Sequence, residues 1–171
     1  LGDWSSDVCS SDLELYFNIT IKEIPSYCVL SLRKEIPNYY YEGELWKELS
    51  AFAKENKINI SDETFSIYHN EEYKEKDVDV ELCAIVNKIG KATGDFKFRF
   101  TEPVSMMACT MVYGDFSNIS YAYRSFAKWL QENSQYKMKG SSRQIVHRGP
   151  WNEKNPENYL TEIRIPLENL L

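Results

Sequence analysis

The clearest alternation of apolar and polar positions in this chain runs from Tyr159 to Leu167. Ile163, Ile165 and Leu167 fall on one side, and Leu160, Glu162 and Arg164 on the other. That is the period of a strand with one face on an apolar layer. A second long strand is expected over 78–86, where Asp79 and Glu81 alternate with Val78, Val80 and Leu82. A helical period replaces the strand period twice. From about Tyr41 to Asn56, Leu45, Leu49, Phe52 and Ala53 make one stripe. From about Asn118 to Asn133, Ala122, Phe126, Trp129 and Leu130 make another. Two extended runs precede the helices. One spans Ile19 to Ile36 and is broken by Pro25; the other spans Lys97 to Tyr113, with Pro103 near its start. Short strands are expected at 65–69 and 144–147, followed by polar turns at 70–76 and 149–158.

These elements occur in the same order twice. Pro25 and Pro103 stand 78 positions apart, as do His69 and His147. The helix stripes repeat at 77, and Glu81 and Glu162 differ by 81, the extra residues falling in the Pro-containing turn. The sequence therefore predicts an α+β fold of two strand–helix–strand–strand repeats, about 19–89 and 97–168, related by a pseudo-two-fold axis. One helix covers one face of each three-stranded sheet, and the other face must meet something, most simply its twin. The more apolar set of each final strand belongs under the helix, which turns Glu81 and Glu162 to the open face.

Composition narrows the function classes. The formal net charge is −6 over 171 residues, and no Lys/Arg run exceeds two. A nucleic-acid surface needs clustered cations, so none is expected. No apolar run approaches the ~20 residues of a membrane span, and a soluble cytoplasmic protein is expected. The four cysteines, Cys9, Cys28, Cys83 and Cys109, form no CxxC pair, and there are two histidines. Buried free thiols in a reducing compartment are the simplest reading, with no metal site and no cofactor. Residues 1–13 fit neither structural period and lack the pattern of a signal peptide. They read as a non-native or disordered leader resembling translated adapter sequence, ahead of a domain over 14–171. If they are foreign, there is room for a native upstream region ahead of the domain.

Four features together resemble a known family. They are the double repeat, the Asp79-Val80-Glu81-Leu82-Cys83 strand, the Tyr113-Gly114-Asp115-Phe116 turn before the second helix, and the closing Thr161-Glu162-Ile163-Arg164-Ile165-Pro166-Leu167. The chain resembles GyrI-like small-molecule-binding domains over about 17–168. Such domains form the C-terminal effector-binding part of AraC-type and MerR-type transcription regulators, and also stand alone. The resemblance implies a concave aromatic pocket between the halves, with Glu162 at its base, and a cationic, aromatic, lipophilic ligand. No helix-turn-helix segment reads in this chain, so DNA would be bound only through a separate domain. The resemblance also leaves open a hydrolase of cyclopropanoid toxins and a gyrase-binding inhibitor.

The candidate ligand-binding residues are Glu162, Glu81, Tyr68, Trp46 and Tyr113; no catalytic or metal residue is assigned. A carboxylate among aromatic rings is costly while unpaired, and a ligand cation relieves that cost. Arg164 on the same face as Glu162 offers the plainer alternative of a surface ion pair. Trp151 and Tyr159 read as turn packing or as a lid. His69 and His147 read as surface or turn positions. Met106 and Met107 lie on opposite faces of one strand, and core filling is their default role.

Overall fold

The computed structural model describes residues 17–72 and 74–171. The leader assigned to 1–13 lies outside the described residues. Nine strands and two helices follow in the order β1 (Thr20–Ile24), β2 (Cys28–Ile36), α1 (Glu42–Glu55), β3 (Ile60–Tyr68), β4 (Val78–Val86), β5 (Phe96–Phe100), β6 (Val104–Tyr113), α2 (Ile119–Glu132), β7 (Tyr136–Met138), β8 (Ser142–Arg148) and β9 (Leu160–Asn169). The fold is α+β and antiparallel, and the order of elements suggests two repeated units, as the sequence predicts.

The chain divides into two compact units. The first comprises Glu23–Ser105 and Gly140–Ile145; the second comprises the described residues up to Lys22, Met106–Lys139 and Val146–Leu171. In the first unit β5, β2, β4 and β3 lie side by side, and the leading part of β8 pairs with β3 through Ser66↔Gln144, Ile67↔Arg143 and Tyr68↔Ser142. The helix stripe buries Leu45, Leu49 and Ala53 on Leu30, Leu32, Val78, Val80, Leu82 and Ala84. The opposite sheet face carries Val29, Phe65, Ile67 and Cys83, with Tyr27, Ile85 and Ile145 beside them. Phe52 stacks on Phe96 at 4.0 Å between centroids, so β5 is held by an aromatic contact as well as by its ladder.

In the second unit β6 pairs with β9 from Met107↔Pro166 to Tyr113↔Leu160, and β7 pairs with β9 from Tyr136↔Asn169 to Met138↔Leu167. Ala122 and Phe126 of α2 pack on Ala108, Val112, Ile163, Ile165 and Leu167. Met106 joins this core, and Met107 is wholly buried on the other face of β6. The apolar set of each final strand thus lies under its helix, and Glu81 and Glu162 point the other way.

The expectation of a three-stranded sheet per repeat is corrected. The strands are exchanged: β1, from the first repeat, lies beside β6, and β5, from the second, lies beside β2. Periodicity shows which residues extend, not which strand they pair with. Two strand extents also differ. β3 begins at Ile60, ahead of the expected 65, because its leading residues Ser61, Asp62 and Glu63 are all exposed and show no alternation. β7 is three residues long, too short for any period to register. No helix of the described residues is long and apolar enough to cross a membrane.

Candidate functional site

Each repeat presents one buried glutamate on the face away from its helix. Glu81 is 3% exposed and Glu162 is 3% exposed. Both are paired. His69 Nε2 donates to Glu81 Oε1 at 2.9 Å, and Arg99 grips the same carboxylate bidentately, Nε to Oε2 at 2.7 Å and Nη2 to Oε1 at 2.8 Å. Ser141 Oγ stands 3.4 Å from the other ring nitrogen of His69. In the second unit His147 Nε2 donates to Glu162 Oε1 at 3.0 Å, and Arg164 Nε donates to Oε2. Burial acts to raise the pKa of each glutamate, but the bonds outweigh it. Those from His69 and Arg99 hold Glu81 down at about 2. Those from Arg164 and His147 hold Glu162 below the usual carboxylate range.

These triads add partners to positions named from the sequence. His147 is exposed, as expected, and His69 is half-buried, and each is also a carboxylate partner. The Arg164 pair exists, but around a carboxylate whose side chain is 4% exposed, so it is not a surface ion pair.

A third carboxylate lacks such partners. Glu42 opens α1, and its described partners are neutral. Tyr68 Oη donates to Oε1 at 2.6 Å, and Trp46 Nε1 approaches Oε2 at 3.4 Å. Burial raises its pKa, and the hydrogen bonds from Tyr68, Trp46 and Ser66 only partly oppose that. The helix places Trp46 one turn after Glu42. β3 brings Tyr68 in from the sheet, in register with Val80 on the helix side. Tyr39 packs its ring edge on Tyr68 at 5.7 Å between centroids, and Gln144 Oε1 lies 3.5 Å from the Tyr68 hydroxyl. The first unit thus assembles an anion, three aromatic rings and an amide on one side of its sheet.

Of the residues named from the sequence, Tyr68 and Trp46 come together, around Glu42. Tyr113 is 62% exposed at the end of β6. Trp151 is exposed over the turn at Gly149, where a Cβ would meet its ring at 2.8 Å, and Tyr159 is buried with its ring 5.1 Å from Phe116. Both contacts are those of turn packing. Sequence reasoning missed Glu42. A Glu in the first turn of a helix is ordinary complement to the helix dipole, and only its spacing to Trp46 hints at more. Cys83 and Cys109 are buried free thiols with raised pKa values, from burial first; Cys28 is half-buried, and Cys9 lies outside the described residues.

No curated protein sequence matches the chain. Among solved structures, the EcmrR C-terminal domain is 28% identical with a TM-score of 0.82, over 90% of this chain and 98% of that one. SAV2435 bound to tetraphenylphosphonium shares the fold alone, at 10% identity and a TM-score of 0.58, over 90% of this chain and 95% of that one. A hydrolase from Listeria innocua likewise shares the fold, at 11% identity and a TM-score of 0.65, over 88% of this chain and 92% of that one. The family model for the GyrI-like small molecule binding domain matches residues 17–168, and this chain belongs to that family.

Proposed function

We propose that the chain is an effector-binding domain for a lipophilic aromatic cation, and that Glu42 supplies the countercharge, with Trp46, Tyr68 and Tyr39 as aromatic contacts. The observation that carries this reading is the neutrality of Glu42's described partners. Two hydroxyls and an indole N–H solvate the carboxylate but leave its charge uncompensated, and burial has already raised its pKa. A cation over Trp and Tyr faces gains roughly 0.5–2 kcal/mol per ring when desolvated. Delocalised cations suit such a site because they are weakly hydrated and need no directional donor. The shared fold of SAV2435, whose structure contains tetraphenylphosphonium, supports the choice of ligand class.

Titration with tetraphenylphosphonium tests the assignment. Glu42→Gln keeps the shape and removes the charge. A charge-assisted contact is worth roughly 1.5–3 kcal/mol, so affinity should fall about tenfold or more. Glu81→Gln and Glu162→Gln, compared at a temperature where both are folded, should bind within about threefold of the parent, because their charges are balanced internally. Unchanged affinity in Glu42→Gln would sink this reading. A loss confined to Glu162→Gln would return the binding role to the glutamate that the family resemblance indicates.

A hydrolytic reading uses the same pair. A carboxyl with a raised pKa beside a phenol suits general acid–base work. A strained-ring substrate that is bound but not turned over rejects it.

A further inference from the structure

On the sheet face away from α1, the first unit lines up a hydroxyl, an imidazole and a carboxylate. Ser141 Oγ stands 3.4 Å from His69 Nδ1, and His69 Nε2 stands 2.9 Å from Glu81 Oε1. The strand register assembles them. β8 pairs with β3 through Ile67↔Arg143 and Tyr68↔Ser142, so His69 and Ser141 come opposite each other one step past the ladder. β4 pairs Ile67 with Glu81 and Tyr68 with Val80, which makes Glu81 the diagonal neighbour of His69, within reach of a long side chain. Gly140, at φ 105°, turns the chain into Ser141, a conformation that a residue with a Cβ rarely adopts.

Exposure falls along the row in the order that acyl transfer needs. Ser141 is half-buried, the His69 side chain is 18% exposed and that of Glu81 is 4% exposed. The carboxylate is also fixed, since Arg99 holds it bidentately and the Ser31 hydroxyl bonds it. With the Nε2 proton committed to Glu81, a neutral ring carries its lone pair on Nδ1, toward the Ser141 hydroxyl. The two nitrogens exchange the places they hold in a serine protease, and either one can take the proton. A nucleophile–base contact of this length tightens when substrate binds. The duplication supplies an internal contrast. His147 and Glu162 repeat the imidazole–carboxylate pair at 3.0 Å, but among the described residues no hydroxyl bonds the other nitrogen of His147. At the 78-residue offset Ser141 answers to Glu63, so the serine itself is not duplicated.

We propose that Ser141, His69 and Glu81 form an acyl-transfer centre, with Ser141 as nucleophile, His69 as general base and Glu81 as the positioning residue. Ser141 Oγ attacks the carbonyl carbon of an ester, and its proton passes to His69 Nδ1. The adduct breaks its bond to the leaving oxygen, which departs with the electron pair and takes up that proton. Water, deprotonated by the same nitrogen, then cleaves the acyl-serine. A carboxylic acid leaves, and the proton returns to Ser141. The row supplies a nucleophile and a base but no oxyanion donor of its own, so it suits esters with a good leaving group, the aryl esters.

The test treats the full chain with para-nitrophenyl acetate, follows nitrophenolate release and locates acetyl groups by peptide mass. A burst of nitrophenolate and an acetyl group on Ser141 are expected. Ser141→Ala should abolish the burst, and Ser141→Cys should keep it, because a thiol is also a nucleophile. His69→Gln should slow acylation about a hundredfold, the worth of a general base, while His147→Ala keeps the parent rate. Glu81→Gln, read at a temperature where it is folded, should slow acylation about tenfold with the acetyl group still on Ser141; a purely structural Glu81 would leave that rate unchanged. If the His69 or Glu81 variant fails to fold, Ser141→Ala and the acetyl map of the parent still decide. Acetyl groups on lysines alone, a burst that survives Ser141→Ala, or equal slowing by His147→Ala and His69→Gln overturns the proposal.

Discussion

Glu81, Glu162 and Glu42 differ only in what surrounds them, and their pH responses follow. Glu81 and Glu162 have depressed pKa values in the folded chain. Their stabilising contribution is therefore present above the unfolded carboxyl value and is lost as pH falls toward the folded one, for Glu81 at about 2. Glu81→Gln and Glu162→Gln should each destabilise by roughly 1–3 kcal/mol at neutral pH, since each strands a guanidinium and an imidazole. The deficit should shrink as pH drops below about 5, where the unfolded parent begins to take up the proton that its folded carboxylate still refuses. Denaturant melts across that range check this, and a deficit constant with pH would show that the charge is not what matters. Glu42 has the opposite sign. Its raised pKa lowers stability as pH climbs from the unfolded to the folded value. Glu42→Gln should therefore melt higher at neutral pH and equal the parent in acid. The sequence revealed the glutamates of β4 and β9 through their alternation, and Arg164 beside Glu162, but not the histidines or Arg99. His69 lies 12 positions from Glu81 and Arg99 lies 18 away. Nothing periodic links such residues.

Helices were the most legible elements. The expected spans, about 41–56 and 118–133, differ by one residue at each end from Glu42–Glu55 and Ile119–Glu132. A stripe of apolar residues at helical spacing survives any uncertainty about neighbours, because the helix satisfies its own backbone. The way α1 ends was not legible. Ile58 N–H returns to Ala53 C=O at 2.8 Å and Lys57 N–H to Lys54 C=O at 3.3 Å, a Schellman motif. The residue in the left-handed position is Lys57, at φ 55°. Glycine usually takes that place, since a Cβ there meets the carbonyl. Ile58 packs on the core and holds the turn against this strain. Lys57→Gly should stabilise the chain by up to about 1 kcal/mol, read as a rise in Tm. A fall in Tm would show that the lysine side chain contributes more than its backbone conformation costs.

At the scale of the whole molecule, the duplication in the sequence and the units in space do not coincide. The sequence divides near residue 90, between β4 and β5. The first unit nonetheless draws β5 and Gly140–Ile145 from beyond that point, and the second draws the leading residues of β1, up to Lys22, from before it. Each repeat therefore completes a sheet built mostly from the other. The exchanged pieces are well anchored. β5 pairs with β2 from Cys28↔Phe100 to Leu32↔Phe96, and Phe96 stacks on Phe52. The 140–145 segment pairs with the edge of β3, lays the Arg143 guanidinium 5.7 Å from the Phe65 ring, and adds Ile145 to the layer of Val29 and Ile67. A fragment of residues 17–92 would expose both edges of its sheet, the ring of Phe65 and one face of Phe52. Open apolar edges of that kind favour association over folding. Residues 93–171 would lack β1 beside β6. We expect neither fragment alone to give a cooperative melt or a dispersed NMR spectrum, and an equimolar mixture refolded together to recover both. A cooperative melt from residues 17–92 alone would show that the repeat is a self-sufficient folding unit and that the exchanged strands merely decorate it.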